Sequence, residues 1–271
     1  MKIIRQITDL NKAIKKSKEI GFVPTMGGLH GGHESLIKSS KKKCKKTLVS
    51  IFVNPAQFNK VQDYRKYPRN INKDLKLLKR LEVDFVFIPS VSEIFKNQKL
   101  KNFKLNNSQK VLCAKYRKGH FEGVLNIMNR FITLILPKYV FMGEKDFQQL
   151  YLIKFFLQKK YKTNIISCKT IREKNMIALS TRNYLLNIEN LKKAGFIAQE
   201  LSRYKIKINK NRNKYRSIIE DFKKQCTKKY GIKIEYLEAR NIGKLTKNII
   251  GKKFKLFIAY YINKVRLIDN F

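Results

Sequence analysis

The sequence predicts an α/β fold, a doubly wound parallel sheet with a smaller α+β domain behind it. Over the first two thirds of the chain, short apolar runs alternate with longer amphipathic stretches. Several of those runs are too uniformly apolar for a half-exposed strand, so the sheet they form is covered on both faces. After about residue 175 the texture changes to two helical stretches followed by two strand-like ones. In order, residues 21–25, 48–53, 84–89, 139–143 and 164–168 read as strands, and 34–46, 71–81, 123–136 and 147–160 carry helical spacing. That βαβα order with right-handed crossovers gives a Rossmann-like sheet over residues 1–175. Residues 176–271 form the smaller, lid-like domain, with helices over 188–204 and 215–229 and strands over 233–239 and 255–262. The Lys/Asn-rich stretch 205–214 reads as a solvated connection between those helices.

Composition narrows the function classes. The 271 residues are 43% hydrophobic, enough for a real core and against wholesale disorder. Lys and Arg number 61 against 19 Asp and Glu, a formal net charge of +42. An RNA-binding module would gather such charge with aromatics on one face. Here lysines stand beside Asn and Ile in every segment, which reads as compositional drift, and no specific nucleic-acid partner is expected. Cys44, Cys113, Cys168 and Cys226 form no C-x-x-C pair, so neither a zinc site nor a redox pair is suggested. No apolar run approaches the roughly 20 residues of a membrane span, and residues 1–10 lack the pattern of a signal peptide. A cytoplasmic protein without a membrane partner is the expectation.

Open parallel sheets bind ligands beyond the carboxyl ends of their strands, so the chemistry is sought in the loops that follow strands. The first such loop is Val23-Pro24-Thr25-Met26-Gly27-Gly28-Leu29-His30-Gly31-Gly32-His33. Its glycines let the backbone approach a ligand, and the helix start beyond them offers N–H groups to an anion. Two of the three histidines of the chain lie here, suited to stabilising charge on a phosphoryl group. The plainer alternative is a tight turn whose histidines cap the helix. Asn54 and Gln57 follow the second strand, and their amides suit a substrate rich in hydroxyl and carboxylate oxygens. In Gly143-Glu144-Lys145-Asp146, between a strand and a helix, Lys145 can meet phosphate as a point charge. Ser180-Thr181-Arg182, at the domain boundary, can grip a triphosphate or cap the helix that begins near Asn187.

Beyond these local readings, the T-M-G-G-L-H-G-G-H run resembles the H-x-G-H signature of the HIGH-motif nucleotidylyltransferase superfamily, and its wording is similar to the pantothenate synthetase family (pantoate–β-alanine ligases). Phe52 to Phe58, Tyr67-Pro68-Arg69, Gly119-His120-Phe121, Phe141 to Gln149, Ser180 to Asn183 and Val265 to Asn270 agree with that family in order, nearly end to end.

The resemblance implies an AMP-forming carbon–nitrogen ligase of pantothenate biosynthesis, on the coenzyme A pathway, that condenses pantoate with β-alanine through a pantoyl-adenylate. ATP is the nucleotide substrate, Mg²⁺ accompanies its phosphates without a protein-built metal site, and the enzyme is a homodimer. His30, His33, Lys145 and Ser180 are the implied catalytic residues. Met26, Gly27, Gly28, Leu29, His30, Gly31, Gly32, His33, Gly143, Glu144, Lys145, Asp146, Ile171, Leu179, Ser180, Thr181 and Arg182 would bind ATP. Gln57 and Gln149 would hold pantoate, with Gln57 also bordering β-alanine. His120 is implied near the site, a satisfied structural histidine being the alternative. A nucleotidylyltransferase acting on a phosphorylated substrate is disfavoured, because a second phosphate calls for further cations. Asn175-Met176 stands where the family usually has Asp-Gly, and a bulky Met is expected to resist a glycine-only backbone conformation and reshape the lid. Thr181 replaces a common Ser, and Lys118 a frequent Pro.

Overall fold

A computed structural model describes residues 1–17, 19–96, 101 and 103–271. The chain divides into two compact units, Met1–Leu105 with Arg117–Thr170, and Asn106–Tyr116 with Ile171–Phe271. The change of texture in the sequence sets the boundary after residue 175, with 106–116 in the first domain. Side chains far apart in sequence move both assignments. Cys113 Sγ lies 3.1 Å from Tyr236 Oη and Tyr116 stacks on Tyr236 at 5.7 Å, while Arg172 forks onto Asp269 with two 2.8 Å hydrogen bonds.

The first unit is built on β1 (Lys2–Ile4), β2 (Ile20–Thr25), β3 (Lys46–Ile51), β4 (Phe85–Phe87), β5 (Tyr139–Gly143) and β6 (Asn164–Cys168). All pair in parallel, in the order β1-β4-β3-β2-β5-β6. The helices over this stretch of chain are α1 (Ile7–Ile14), α2 (Gly31–Lys43), α3 (Val61–Lys66), α4 (Ile71–Arg80), α5 (Val91–Phe95), α6 (Cys113–Tyr116, in the second unit), α7 (His120–Ile135), α8 (Phe147–Ile153) and α9 (Lys159–Tyr161). Both faces are covered, as the uniform apolar runs require. Val23, Val49, Val86 and Phe141 join Ile37 of α2 and Leu78 of α4 in one core. The neighbouring residues Phe22 and Phe87 meet Phe131 of α7 edge-on at 5.6 and 6.2 Å. β3 and β4 lie on one side of β2, β5 and β6 on the other, so the strand order reverses between β2 and β5. A crevice at such a reversal is where doubly wound sheets bind ligands.

In the second unit, β7 (Lys233–Asn241), β8 (Phe254–Ile262) and β9 (Val265–Asn270) form an antiparallel sheet in that order. It shares one core with α10 (Ile188–Lys210) and α11 (Tyr215–Tyr230) through Leu201, Ile218, Phe222, Leu256 and Ile258. α10 runs six residues past its expected end because Ile208, fully buried, carries its apolar stripe into the Lys/Asn-rich stretch. The connection shrinks to 211–214. β9 was not expected as a strand. Its charged side chains are paired, Arg266 with Glu235 and Asp269 with Arg172, so polar residues sit in a largely buried strand.

Candidate active site

β2 delivers Thr25 to the strand-order reversal, where its hydroxyl donates to Ser50 O (2.7 Å) and accepts the Gly27 N–H (3.2 Å). Gly27 and Gly28 then take φ of +80° and +61°, the left-handed region that glycine enters without a Cβ clash. Asp74 of α4 fixes this bend from below. Its two carboxylate oxygens accept the N–H groups of Gly28 (2.9 Å) and Leu29 (2.8 Å). Burial raises the Asp74 pKa, an effect those two N–H groups only partly offset. The sequence reading missed Asp74. Its signal was an acid on the apolar stripe that Leu78 and Leu81 continue at helical spacing.

The bend delivers His30 as the N-cap of α2. His30 Nδ1 accepts the Gly32 N–H at 3.1 Å, His33 Nδ1 accepts the His30 N–H at 3.3 Å, and the two rings lie 4.1 Å apart. The capping alternative is therefore real, and it leaves room for chemistry. With Nδ1 of each ring accepting, the proton of each neutral imidazole sits on Nε2. Burial, reinforced by Lys145, pushes His30 down to about 4. Burial, then His30 and Lys145, push His33 down to about 3. Both rings are neutral at pH 7, and each presents an Nε2–H that can donate, beside the Lys145 side chain.

Lys145 lies in the 3₁₀ turn Glu144–Asp146 at the end of β5, its side chain largely buried and its Nζ 3.9 Å from Asp146 Oδ1. Glu144 accepts from Ser167 Oγ at 2.8 Å. A side chain at Gly143 would meet nothing within 4 Å, so the backbone there borders open space. Gln57 ends the turn Pro55–Gln57 after β3, with its Nε2 2.6 Å from Met26 Sδ. That contact joins the expected acid pocket to the glycine-rich turn. Asn54 caps the Gln57 turn through Ala56 N–H (3.2 Å) and donates to Gly123 O (3.1 Å). Gly123 of α7 is required there, since a Cβ would fall 2.4 Å from Ala56 O. His120 donates from Nδ1 to Gln57 O at 2.7 Å, and Arg117 donates to the same oxygen at 3.1 Å and to His120 Nε2 at 3.0 Å. Gln149, half-buried on α8, makes no hydrogen bond to Gln57 or Met26 among the described residues.

The remaining candidates gather within the second unit. Leu179 N–H donates to Ile171 O (3.0 Å), closing a small hairpin that ends at Ser180. Ser180 caps the turn Thr181–Leu185 by accepting the Arg182 N–H at 3.3 Å, Thr181 is buried, and Asn187 caps α10 through Asn190 N–H at 2.9 Å. Met176 does not resist. It adopts φ +73°, its carbonyl held by Arg172 Nη1 at 2.8 Å, so the left-handed turn survives the loss of glycine. Among the described residues, no three His, Cys, Asp or Glu side chains converge on a point that could hold a metal ion, and no helix is long and apolar enough to cross a membrane.

The sequence pattern of pantoate–β-alanine ligases matches residues 2–271. The pantothenate synthetase of Christiangramia forsetii is 37% identical over 284 residues, covering 100% of this chain and 98% of its own length. Among solved structures, the pantothenate synthetase of Thermus thermophilus superposes with a TM-score of 0.92 at 27% identity, covering 100% of this chain and 99% of that one. The pantoate–β-alanine ligase of Francisella tularensis, complexed with beta-gamma ATP and beta-alanine, superposes at 0.82 with 34% identity, covering 100% and 97%. Matches that run the full length of the chain, on a site assembled at the strand-order reversal, place this protein in the pantoate–β-alanine ligase family.

Proposed function

We propose that the protein joins pantoate to β-alanine in two half-reactions at the end of the parallel sheet. A pantoate carboxylate oxygen attacks the α-phosphorus of ATP, forming pantoyl-adenylate and expelling pyrophosphate. The β-alanine amine then attacks the acyl carbon, the C–O bond to AMP breaks, and the amine loses a proton. The observation that carries this reading is the pair of neutral imidazoles with Nδ1 locked by the α2 N-terminus, beside the Lys145 ammonium. Two preset Nε2–H donors and one cation can stabilise charge growing on the phosphoryl oxygens without reorganising.

In this reading Met26 to His33, Gly143 to Asp146, Ile171 and Leu179 to Arg182 are the ATP-binding residues. Ser180 Oγ accepts a main-chain N–H, which leaves its hydroxyl hydrogen to donate to a phosphate oxygen. Gln57 and Gln149 bind pantoate, and Gln57 borders β-alanine. Mg²⁺ would accompany the nucleotide phosphates and supply charge neutralisation there. The resemblance further supports a homodimer.

Pantoate labelled with ¹⁸O in its carboxylate tests the chemistry. Pyrophosphate released in the first turnover with pantoate and ATP alone, and one labelled oxygen carried into AMP after β-alanine is added, are the expected results. ADP and phosphate as products would overturn the reading.

A further inference from the structure

Gln57, the residue on which the acid pocket turns, sits in a turn of three residues. So short a turn cannot fix a side chain by its own hydrogen bonds, and the rigidity must come from outside. The amide itself meets Met26 Sδ at 2.6 Å and Asn54 Nδ2 at 3.5 Å, and the main chain that carries it is held by a separate pair of side chains. The Gln57 carbonyl accepts two side-chain donors at once, His120 Nδ1 at 2.7 Å and Arg117 Nη2 at 3.1 Å. The guanidinium also donates to His120 Nε2 at 3.0 Å, and because a guanidinium only donates, it sets the imidazole tautomer that puts the proton on Nδ1. His120 is buried, and it opens α7, whose Gly123 backbone presses against Ala56.

We infer that Arg117 and His120 are a positioning pair for the ligase reaction: acting through the main-chain carbonyl of Gln57, they hold its amide in register for the hydroxy-acid substrate. They are not catalytic residues. The inference rests on the proposed role of Gln57 in pantoate binding. It predicts a selective defect, since moving Gln57 disturbs the acid pocket directly, whereas Asp74 still holds the Gly28 and Leu29 N–H groups of the glycine-rich turn.

The test is a double-mutant cycle on the full chain with separate titrations of ATP, pantoate and β-alanine. His120→Leu is expected to raise the pantoate KM about tenfold, the scale of losing one buried hydrogen bond to a carbonyl, with the ATP KM changed less than about twofold. His120→Asn, which keeps a donor near the Nδ1 position, recovers most of the loss. In a Gln57→Ala background, His120→Leu has little further effect, because the group it positions is gone. Arg117→Gln, on a half-buried side chain, serves the same cycle if His120→Leu does not fold. Additive effects in the cycle, or equal losses for ATP and pantoate, overturn the inference. An ordinary pantoate KM in the His120 and Arg117 variants while Gln57→Ala is impaired overturns the inference alone. An ordinary pantoate KM in Gln57→Ala overturns the pantoate role of Gln57, and the inference with it.

Discussion

Two turns of this protein use the same left-handed backbone with opposite residues. The Gly27–Gly28 bend of the first unit has φ of +80° and +61°, and the Asn175–Met176 turn of the second reaches +73° at a methionine. At Gly27 a Cβ would stand 3.0 Å from Asp74 Oδ2 and 3.2 Å from Ile51 Cγ2, so the penalty of the conformation is joined by crowding. The second turn is tied by its own hydrogen bonds, Met176 N–H to Glu173 O at 2.9 Å and Met176 O to Arg172 at 2.8 Å. A left-handed residue by itself costs about 1–2 kcal/mol with a Cβ, which a well-tied turn can absorb. Glycine becomes obligatory when the space is also taken. The first bend is crowded because Asp74 must reach its N–H groups to aim the histidines.

That contrast can be broken from either side. The largest effect is expected at His33, which the first bend delivers, and at Lys145, in the turn after β5. His33→Ala and Lys145→Ala should each lower kcat at least about 100-fold, the range for losing one preorganised stabilising group, with the fold intact by circular dichroism. Near-normal turnover in either would remove that residue from the chemistry. Gly27→Ala should destabilise the protein by about 2 kcal/mol in urea unfolding, combining the left-handed cost with crowding, and should also reduce kcat. An alanine accommodated with unchanged stability and turnover would mean that Asp74 and Ile51 yield freely.

Acid should separate the turns further, because only the first carries imidazoles. His30 and His33 titrate near 4 and 3 in the folded protein against about 6.5 unfolded. Below about pH 6.5 the unfolded chain takes up protons that the native state refuses, so stability falls as pH drops from about 6.5 toward 4. The slope approaches about 1.4 kcal/mol per pH unit for each imidazole. At higher pH the two contribute no slope. Replacing both with Asn should flatten the decline in a pH series of denaturant midpoints, and an unchanged slope would show that other groups set it. The smallest effect is expected at the second turn. Met176→Gly should raise stability by about 1 kcal/mol by relieving the left-handed Cβ, less the extra freedom of the unfolded chain. A lowered midpoint would show that the methionine side chain contributes more by packing than its backbone costs.

Local pattern made much of this protein legible. Strands 139–143 and 164–168 are visible because short apolar and β-branched runs between helical stretches have few other uses. The glycine-rich turn is visible because strand, glycines and helix start fall within a short window. β1 and α1 were not visible. β1 is a three-residue edge strand, and the N-terminus of α1 is capped by Glu93, which accepts the Ile7 N–H at 2.7 Å from 86 residues away.

The sequence by itself determined the doubly wound order, the placing of histidines and Lys145 after two separate strands, and the family. Those properties reside in periodicity, glycine spacing and residue identity, all written within short windows. The tertiary structure decided the rest. It ties both Nδ1 atoms to the α2 cap and buries both rings beside Lys145, which keeps the imidazoles neutral at pH 7. It brings Asp74 under a bend 45 residues earlier and Arg117 with His120 onto a carbonyl 60 and 63 residues earlier. It assigns 106–116 to the second unit. Protonation states and side-chain orientation depend on what is packed around a group, and in a parallel sheet those neighbours come from distant parts of the chain.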